Sequence, residues 1–221
     1  MCIRDSLKAS QYLSFIKSSG ARLQTLITDV LDFSKVFSEM ETPTKVNLTN
    51  LIDEIRASIV NESTKVIASI KVQDSLPLLL AQKSLINLLL TKLINNGIKY
   101  NDNEIPTVYL SHEMTDEVFR LSIRDNGIGI DPKFQDKIFE MFSRLHSNAD
   151  YDGTGLGLAF CHKIMQKYNG TIHLESEVDK GTIFHLKFPH TMVVVQTSFL
   201  LIGHPACSGQ GSIVSQSLSS R

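Results

Sequence analysis

Asp125-Asn126-Gly127-Ile128-Gly129-Ile130 follows directly on residues 118–124, where apolar and polar side chains alternate as in a half-buried strand. Two glycines so soon after a strand let the backbone approach a ligand closely and take up positive φ. A carboxylate beside such a turn can accept a hydrogen bond from a purine amino group. Alone, these six residues read better as an ordinary Asp-Asn-Gly turn. Their meaning depends on what surrounds them.

Downstream, Gly153-Thr154-Gly155-Leu156-Gly157-Leu158 opens a helical pattern over 158–168 that stops at Asn169-Gly170. Backbone N–H groups at a helix N-terminus, unencumbered by side chains, suit a polyphosphate. No Gly-Lys-Ser/Thr follows, so this is not a P-loop, and no βαβ unit with a downstream acidic partner makes it a dinucleotide fingerprint. Upstream, the apolar helical pattern over 82–99 ends in Asn95-Asn96-Gly97-Ile98-Lys99-Tyr100. Asn96 and Lys99 are three residues apart, so their side chains converge on one face. They offer a neutral oxygen for Mg²⁺ and a cation for phosphate. A fraying helix end has the same composition. Gly181-Thr182 opens a final strand pattern. Between the glycine stretches, Phe139 and Phe142 are placed to anchor a mobile loop, and Arg144 to reach a phosphate.

Working outward, residues 7–38 read as one long helix. Ile16, Leu23 and Val30 recur every seven residues, as do Tyr12, Leu26 and Phe33, the seam of a helix that packs in a bundle or coiled coil. Pro43 ends it. Strands are expected around Val46 and Leu48, over 67–72, at 78–80, 107–112, 118–124, 171–176 and 182–189, with a helix over 51–60 capped by Thr49 or Asn50. Helices alternate loosely with strands while neighbouring strands form hairpins. The fold class is therefore α+β: a two-layer α/β sandwich with a mixed, largely antiparallel sheet, preceded by a long helix.

The 221 residues suffice for one well-cored domain with accessories. A net charge of −1 gives no field favouring nucleic acid or anionic membrane. Three scattered cysteines form neither a disulfide framework nor a metal cluster, which points to a reducing, cytoplasmic setting. The longest apolar run, 192–202, is interrupted by polar residues and too short to span a bilayer. Residues 1–6 read as the translation of a transposase adaptor used in shotgun libraries and are set aside as a scar. The expected division is a long helix at 7–40, a packed domain at 41–190, and a poorly ordered or non-native tail at 191–221.

In this order and spacing the motifs resemble those of the histidine kinases of two-component signalling, within the ATP-binding group that also holds gyrase B-type and heat-shock 90-type ATPases. The resemblance runs from about residue 7 to 189. Asn96, Lys99 and Tyr100 match the family's N box, and Asp125, Gly127 and Gly129 its G1 box. Phe139 and Phe142 match the F box, Gly153, Gly155 and Gly157 the G2 box, and Gly181 with Thr182 the last box. The resemblance implies an ATP-dependent kinase that passes the γ-phosphoryl to a histidine and onward to a response regulator receiver domain. Asp125 would read the adenine amino group, helped through water by Thr182. Asn96 would hold Mg²⁺; Lys99 and Arg144 would neutralise phosphate charge. Tyr100 and the segment Gly153, Thr154, Gly155, Leu156, Gly157 would complete the ATP site, and residues 130–151 would form a lid. The resemblance makes 7–40 a partial dimerisation and phosphotransfer helix, which implies a homodimer, and 41–190 the ATP-binding catalytic domain.

Two departures stand out. The family usually has a second Asn four residues before Asn96, where this chain has Lys92. The family's phosphoacceptor His lies on a helix expected upstream of Leu7, and none of the seven histidines matches it. Two alternatives follow. One is a non-catalytic ATP-binding dimerisation module. The other is a gyrase- or chaperone-type ATPase, which would put a Glu general base at position 92 and an adenine-reading Asp near Lys99.

Overall fold

A computed structural model of the chain describes residues 41–62, 68–73, 75–143 and 154–194, and part of the segment 12–34. Asn47 precedes the first helix of the described domain, and its side chain accepts from the backbone N–H of Asn50 at 3.0 Å. That cap starts helix α1 at Leu48–Glu62, three residues before the expected start, so Thr49 and Asn50 are inside the helix. Leu51, Ile52 and Ile55 recur at helical spacing and are buried. Helix α2, Lys83–Lys99, buries Leu85, Ile86, Leu89, Leu90, Leu93, Ile94 and Gly97 along one face. Helix α3, Gly157–Lys167, buries Ala159, Phe160, Cys161, Ile164 and Met165.

The strands are β1 (Thr44–Asn47), β2 (Ser69–Val72), β3 (Leu78–Ala81), β4 (Thr107–Met114), β5 (Val118–Asp125), β6 (Thr171–Glu177), β7 (Gly181–Pro189) and β8 (Val193–Val194). Five of them form a mixed sheet in the order β2-β4-β5-β7-β6. β2 pairs with β4 in parallel, and the remaining pairs are antiparallel. Val108 and Leu110, Phe119, Leu121 and Ile123, and Phe184, Leu186 and Phe188 alternate inward and are buried with the helices in one core. Each such side chain contributes on the order of 1.5–3 kcal/mol by leaving water. The α+β two-layer expectation is met.

A second sheet was not expected. β1, β3 and β8 form a three-stranded antiparallel unit in the order β1-β3-β8. Val193 pairs with Leu79 and Val194 with Leu78. The packed unit therefore continues four residues past 190, because an apolar pair of valines completes the edge of β3. Residues 195–221 and 1–11 lie outside the described residues.

The described residues between 12 and 34 are helical. Ile16, Leu23 and Val30, the predicted seam, are 65%, 60% and 48% exposed. Leu26 and Asp29 are the half-buried positions among them, so that side of the helix meets the domain. No helix among the described residues is long and apolar enough to cross a membrane.

Candidate functional site

The site is assembled around the end of β5. Asp125 is the last residue of the strand, and its carboxylate is fixed through one oxygen. Oδ1 accepts from the backbone N–H of Gly127 at 2.9 Å and of Thr182 at 3.0 Å. No hydrogen bond from another described residue is found on Oδ2. Burial pushes the Asp125 carboxyl above its ordinary range; the Gly127 and Thr182 N–H groups and the Arg124 charge oppose that rise. A half-buried carboxylate held rigid with an open oxygen is suited to accept a hydrogen bond from a neutral amino group.

Glycine is required around this carboxylate for reasons of space. A Cβ at Gly97 would lie 2.8 Å from the Asp125 Cβ and 3.1 Å from Val108 Cγ2, so the absence of a side chain lets α2 pack on the end of β5. At Gly181, φ is +92°, and a Cβ would lie 2.2 Å from the Asp125 carbonyl oxygen. A side chain there would push the β6–β7 turn off Asp125. Gly129 and Gly127 lie against backbone carbonyls in the same way, of Glu177 and Tyr100.

Hydrogen bonds tie the loop after β5 to the other motifs. The Ile128 N–H donates to the Tyr100 carbonyl at 3.1 Å, and the Asp179 N–H donates to the Ile128 carbonyl at 2.8 Å. Ser176 was not recognised in the sequence, yet its hydroxyl accepts from the Ile130 N–H at 2.8 Å and donates to the Gly181 carbonyl at 3.0 Å. It also lies 2.8 Å from the Thr182 hydroxyl. Gln135 braces the same corner through the carbonyls of Ile130 and Ser176. Asn126 turns its amide oxygen toward the Thr107 N–H and the Asn101 amide, 2.7 Å from each, and so fixes the turn from behind. A Ser near the end of β6 and a turn Asn carry little local mark of such roles: Ile130 is 46 residues from Ser176, and Thr107 and Asn101 are 19 and 25 residues from Asn126.

Asn96 and Lys99 share a face of α2, as their spacing implies, and the Lys99 ammonium lies 5.4 Å from the centre of the Tyr100 ring. Thr154, Gly155 and Leu156 lead into α3, whose first residue is Gly157. The Lys92 Cδ is 3.8 Å from where a Gly157 Cβ would be, so α2 and the glycine stretch face each other. Phe139 packs on the core and lies 5.6 Å from the His162 ring. Contrary to expectation, Phe142 does not anchor its loop through the side chain. It is 60% exposed at φ +64°, and its backbone N–H bonds to the Gly155 carbonyl at 3.0 Å instead. Arg144 and Gly153 fall outside the described residues. The structure thus brings Asp125, Gly127, Gly129, Gly181, Thr182 and Tyr100 into one cluster, with Asn96 and Lys99 on the adjoining helix. Thr154 and Gly157 approach from the side of Lys92.

Residues 81–192 match the family described as histidine kinase-, DNA gyrase B- and HSP90-like ATPase. The chain belongs to that family. Among relatives within it, the chain is 35% identical over 181 residues to cyanobacterial phytochrome A of Nostoc sp. (strain PCC 7120 / SAG 25.82 / UTEX 2576), covering 82% of this chain and 24% of the relative. It is 36% identical over 174 residues to the adaptive-response sensory kinase SasA of Microcystis aeruginosa (strain NIES-843 / IAM M-2473), covering 76% and 44%. The chain thus spans about a quarter of the phytochrome's length. Two solved structures share this family's fold. Full-length ShkA in complex with AMPPNP superposes with a TM-score of 0.63 at 25% identity, over 81% of this chain and 38% of that one. The catalytic domain of the histidine kinase ThkA gives 0.56 at 25% identity, over 67% of this chain and 98% of that one.

Proposed function

We propose that this chain is the ATP-binding, phosphoryl-donating part of a sensor histidine kinase. The observation that carries the proposal is the Asp125 carboxylate, fixed through Oδ1 by two backbone N–H groups, with no hydrogen bond from a described residue on Oδ2 and with glycines letting the surrounding turns pack closely on it. That oxygen accepts from the adenine amino group, and Thr182 adds a water-mediated contact. Lys99 and Arg144 neutralise phosphate charge, and the backbone of Gly153, Thr154, Gly155, Leu156 and Gly157 cradles it. Tyr100 borders the nucleotide. The ShkA structure, solved with the ATP analogue AMPPNP, supports this reading.

Among the described residues no group of three or more His, Cys, Asp or Glu side chains could hold a metal ion. A Mg²⁺ ion would be held by the Asn96 amide oxygen together with the nucleotide's phosphates. The ion would supply charge neutralisation on the transferring group.

The reaction proposed breaks the bond between the γ-phosphorus and its bridging oxygen and forms a P–N bond to a neutral imidazole. ADP leaves, and the other ring nitrogen gives up its proton. The protein contributes positioning and electrostatics. The acceptor histidine is proposed to lie on a helix preceding residue 7. A response regulator receiver domain then takes the phosphoryl group, and neither step involves nucleic acid. Homodimerisation through the N-terminal helix belongs to the same proposal, supported by the exposed seam of Ile16, Leu23 and Val30. The kinase module is proposed to work in the cytoplasm.

Radiolabelled ATP tests the activity. Mixed with a His-containing dimerisation hairpin from the parent kinase, the chain should transfer label to the hairpin, in the acid-labile and base-stable form of phosphohistidine. The chain alone should stay unlabelled. No label on the hairpin, with nucleotide shown to bind, overturns the kinase assignment in favour of a non-catalytic module.

A further inference from the structure

We propose that Asp29 is an internal stand-in for nucleotide phosphate, through which the N-terminal helix docks on the phosphate end of the site and is released when nucleotide binds. The proposal rests on the reading of Asp125 and its surroundings as a nucleotide site. Its basis is the way one carboxylate is shared. Asp29 Oδ1 lies 3.3 Å from the Lys92 ammonium, and Oδ2 accepts from the Thr154 hydroxyl at 2.6 Å. These two partners come from opposite walls: Lys92 stands one turn before Asn96 on α2, and Thr154 lies in the glycine stretch entering α3. Only 15% of the Asp29 side chain is exposed, on a helical segment whose other described residues, apart from Leu26, face solvent.

An ammonium and a hydroxyl aimed at one point ask for an anion with several acceptor oxygens, and a phosphate group meets that need as a carboxylate does. Lys92, standing where the resemblance implies an Asn, is matched by an acid on the N-terminal helix. The Lys92 ammonium also lies 5.7 Å from the Phe160 ring, so its stem is held along α3 with the charge delivered to the gap between the walls. A nucleotide whose phosphates use Thr154 and Lys92 must displace Asp29. Helix docking and nucleotide binding are then mutually antagonistic, and the coupling is reciprocal. Asp29 regulates access to the site without taking part in the transfer.

Asp29→Asn keeps the shape and an acceptor for Thr154 but removes the charge that competes with phosphate. Titrating the whole chain and this variant with a fluorescent adenine nucleotide and Mg²⁺ should show binding about two- to fivefold tighter in the variant, the range expected for loss of one partly exposed ion pair. Hydrogen exchange across residues 26–31 should speed up when Mg-ATP saturates the unaltered chain. Equal affinities, or unchanged exchange on saturation, overturn the role of Asp29 and leave the nucleotide reading standing. Weaker binding by the variant makes Asp29 a ligand of the nucleotide or its cation, which also overturns the proposal. If neither protein binds nucleotide, the underlying site reading fails, and the proposal falls with it.

Discussion

Replacing Gly97 by Ala tests whether the helix α2 glycine serves Asp125. In an ordinary helix interior Ala is favoured over Gly by about 1 kcal/mol. Here the added methyl would lie 2.8 Å from the Asp125 Cβ, against the 3.4 Å at which ordinary contact begins, so some 0.6 Å of movement is needed. The Asp125 Cβ is one bond from the backbone of a central strand and cannot swing aside. Overpacking of this kind costs about 1–3 kcal/mol, so the helix gain is cancelled and the variant loses on the order of 1 kcal/mol. In a domain of this size that lowers Tm by about 2–4 °C. The same displacement stretches the bonds from Gly127 and Thr182, now 2.9 and 3.0 Å. If the carboxylate loses its hold on the base, a charge-assisted bond of about 1.5–3 kcal/mol is forfeited, a roughly tenfold or greater loss of nucleotide affinity. Thermal unfolding and nucleotide titration of Gly97→Ala read both effects, with Asn95→Ala at an exposed position of the same helix as the propensity control. A Gly97→Ala protein that melts higher and binds nucleotide undiminished would refute the reasoning.

Asp125 itself should show opposite effects on stability and binding. Its carboxyl is raised by burial, so the stability linked to its protonated form is complete below the ordinary carboxylate range and is lost as pH rises through the raised value. At neutral pH the ionised group is a cost, and Asp125→Asn should melt higher than the unaltered protein in calorimetry without nucleotide. Nucleotide binding needs the ionised form, so affinity should fall as pH drops through that raised value, and a pH series of titrations should show no such fall in Asp125→Asn. Cys161 offers a check on the core: burial pushes its thiol up to about 12. Iodoacetamide at neutral pH should leave Cys161 unmodified in the native protein by peptide mass spectrometry and modify it once urea unfolds the domain.

Most of the site was readable because its requirements are local. Asp125 with Gly127 and Gly129, or Gly181 with Thr182, each declare a tight turn within a few residues, and the order of the turns carried the family resemblance. Helix α2 was readable because its apolar face repeats over 17 residues. The parts that escaped depend on partners remote in sequence. Val193 and Val194 become a strand only because β3 presents an open edge more than a hundred residues earlier. Ser176 and Gln135 brace the glycine corner through contacts 46 and 41 residues away, at Ile130 and Ser176. The start of α1 was misplaced because Thr49 and Asn50 are as good caps as Asn47, and only the strand β1 ending at Asn47 decides among them. Lys92 stands in the sequence only as a departure from the family's Asn, because its partner Asp29 lies 63 residues away.

The central claim is that Asp125 reads adenine, and the most direct measurement is calorimetric titration of the chain and of Asp125→Asn with Mg-ATP, repeated with Mg-GTP. The chain should bind Mg-ATP and discriminate against Mg-GTP, whose base has a carbonyl where adenine has its amino group. Asp125→Asn should bind Mg-ATP about ten- to a hundredfold more weakly, the loss of one charge-assisted hydrogen bond in a closed site. Equal affinity of the two proteins for Mg-ATP, or no preference of the unaltered chain for Mg-ATP over Mg-GTP, would contradict the account.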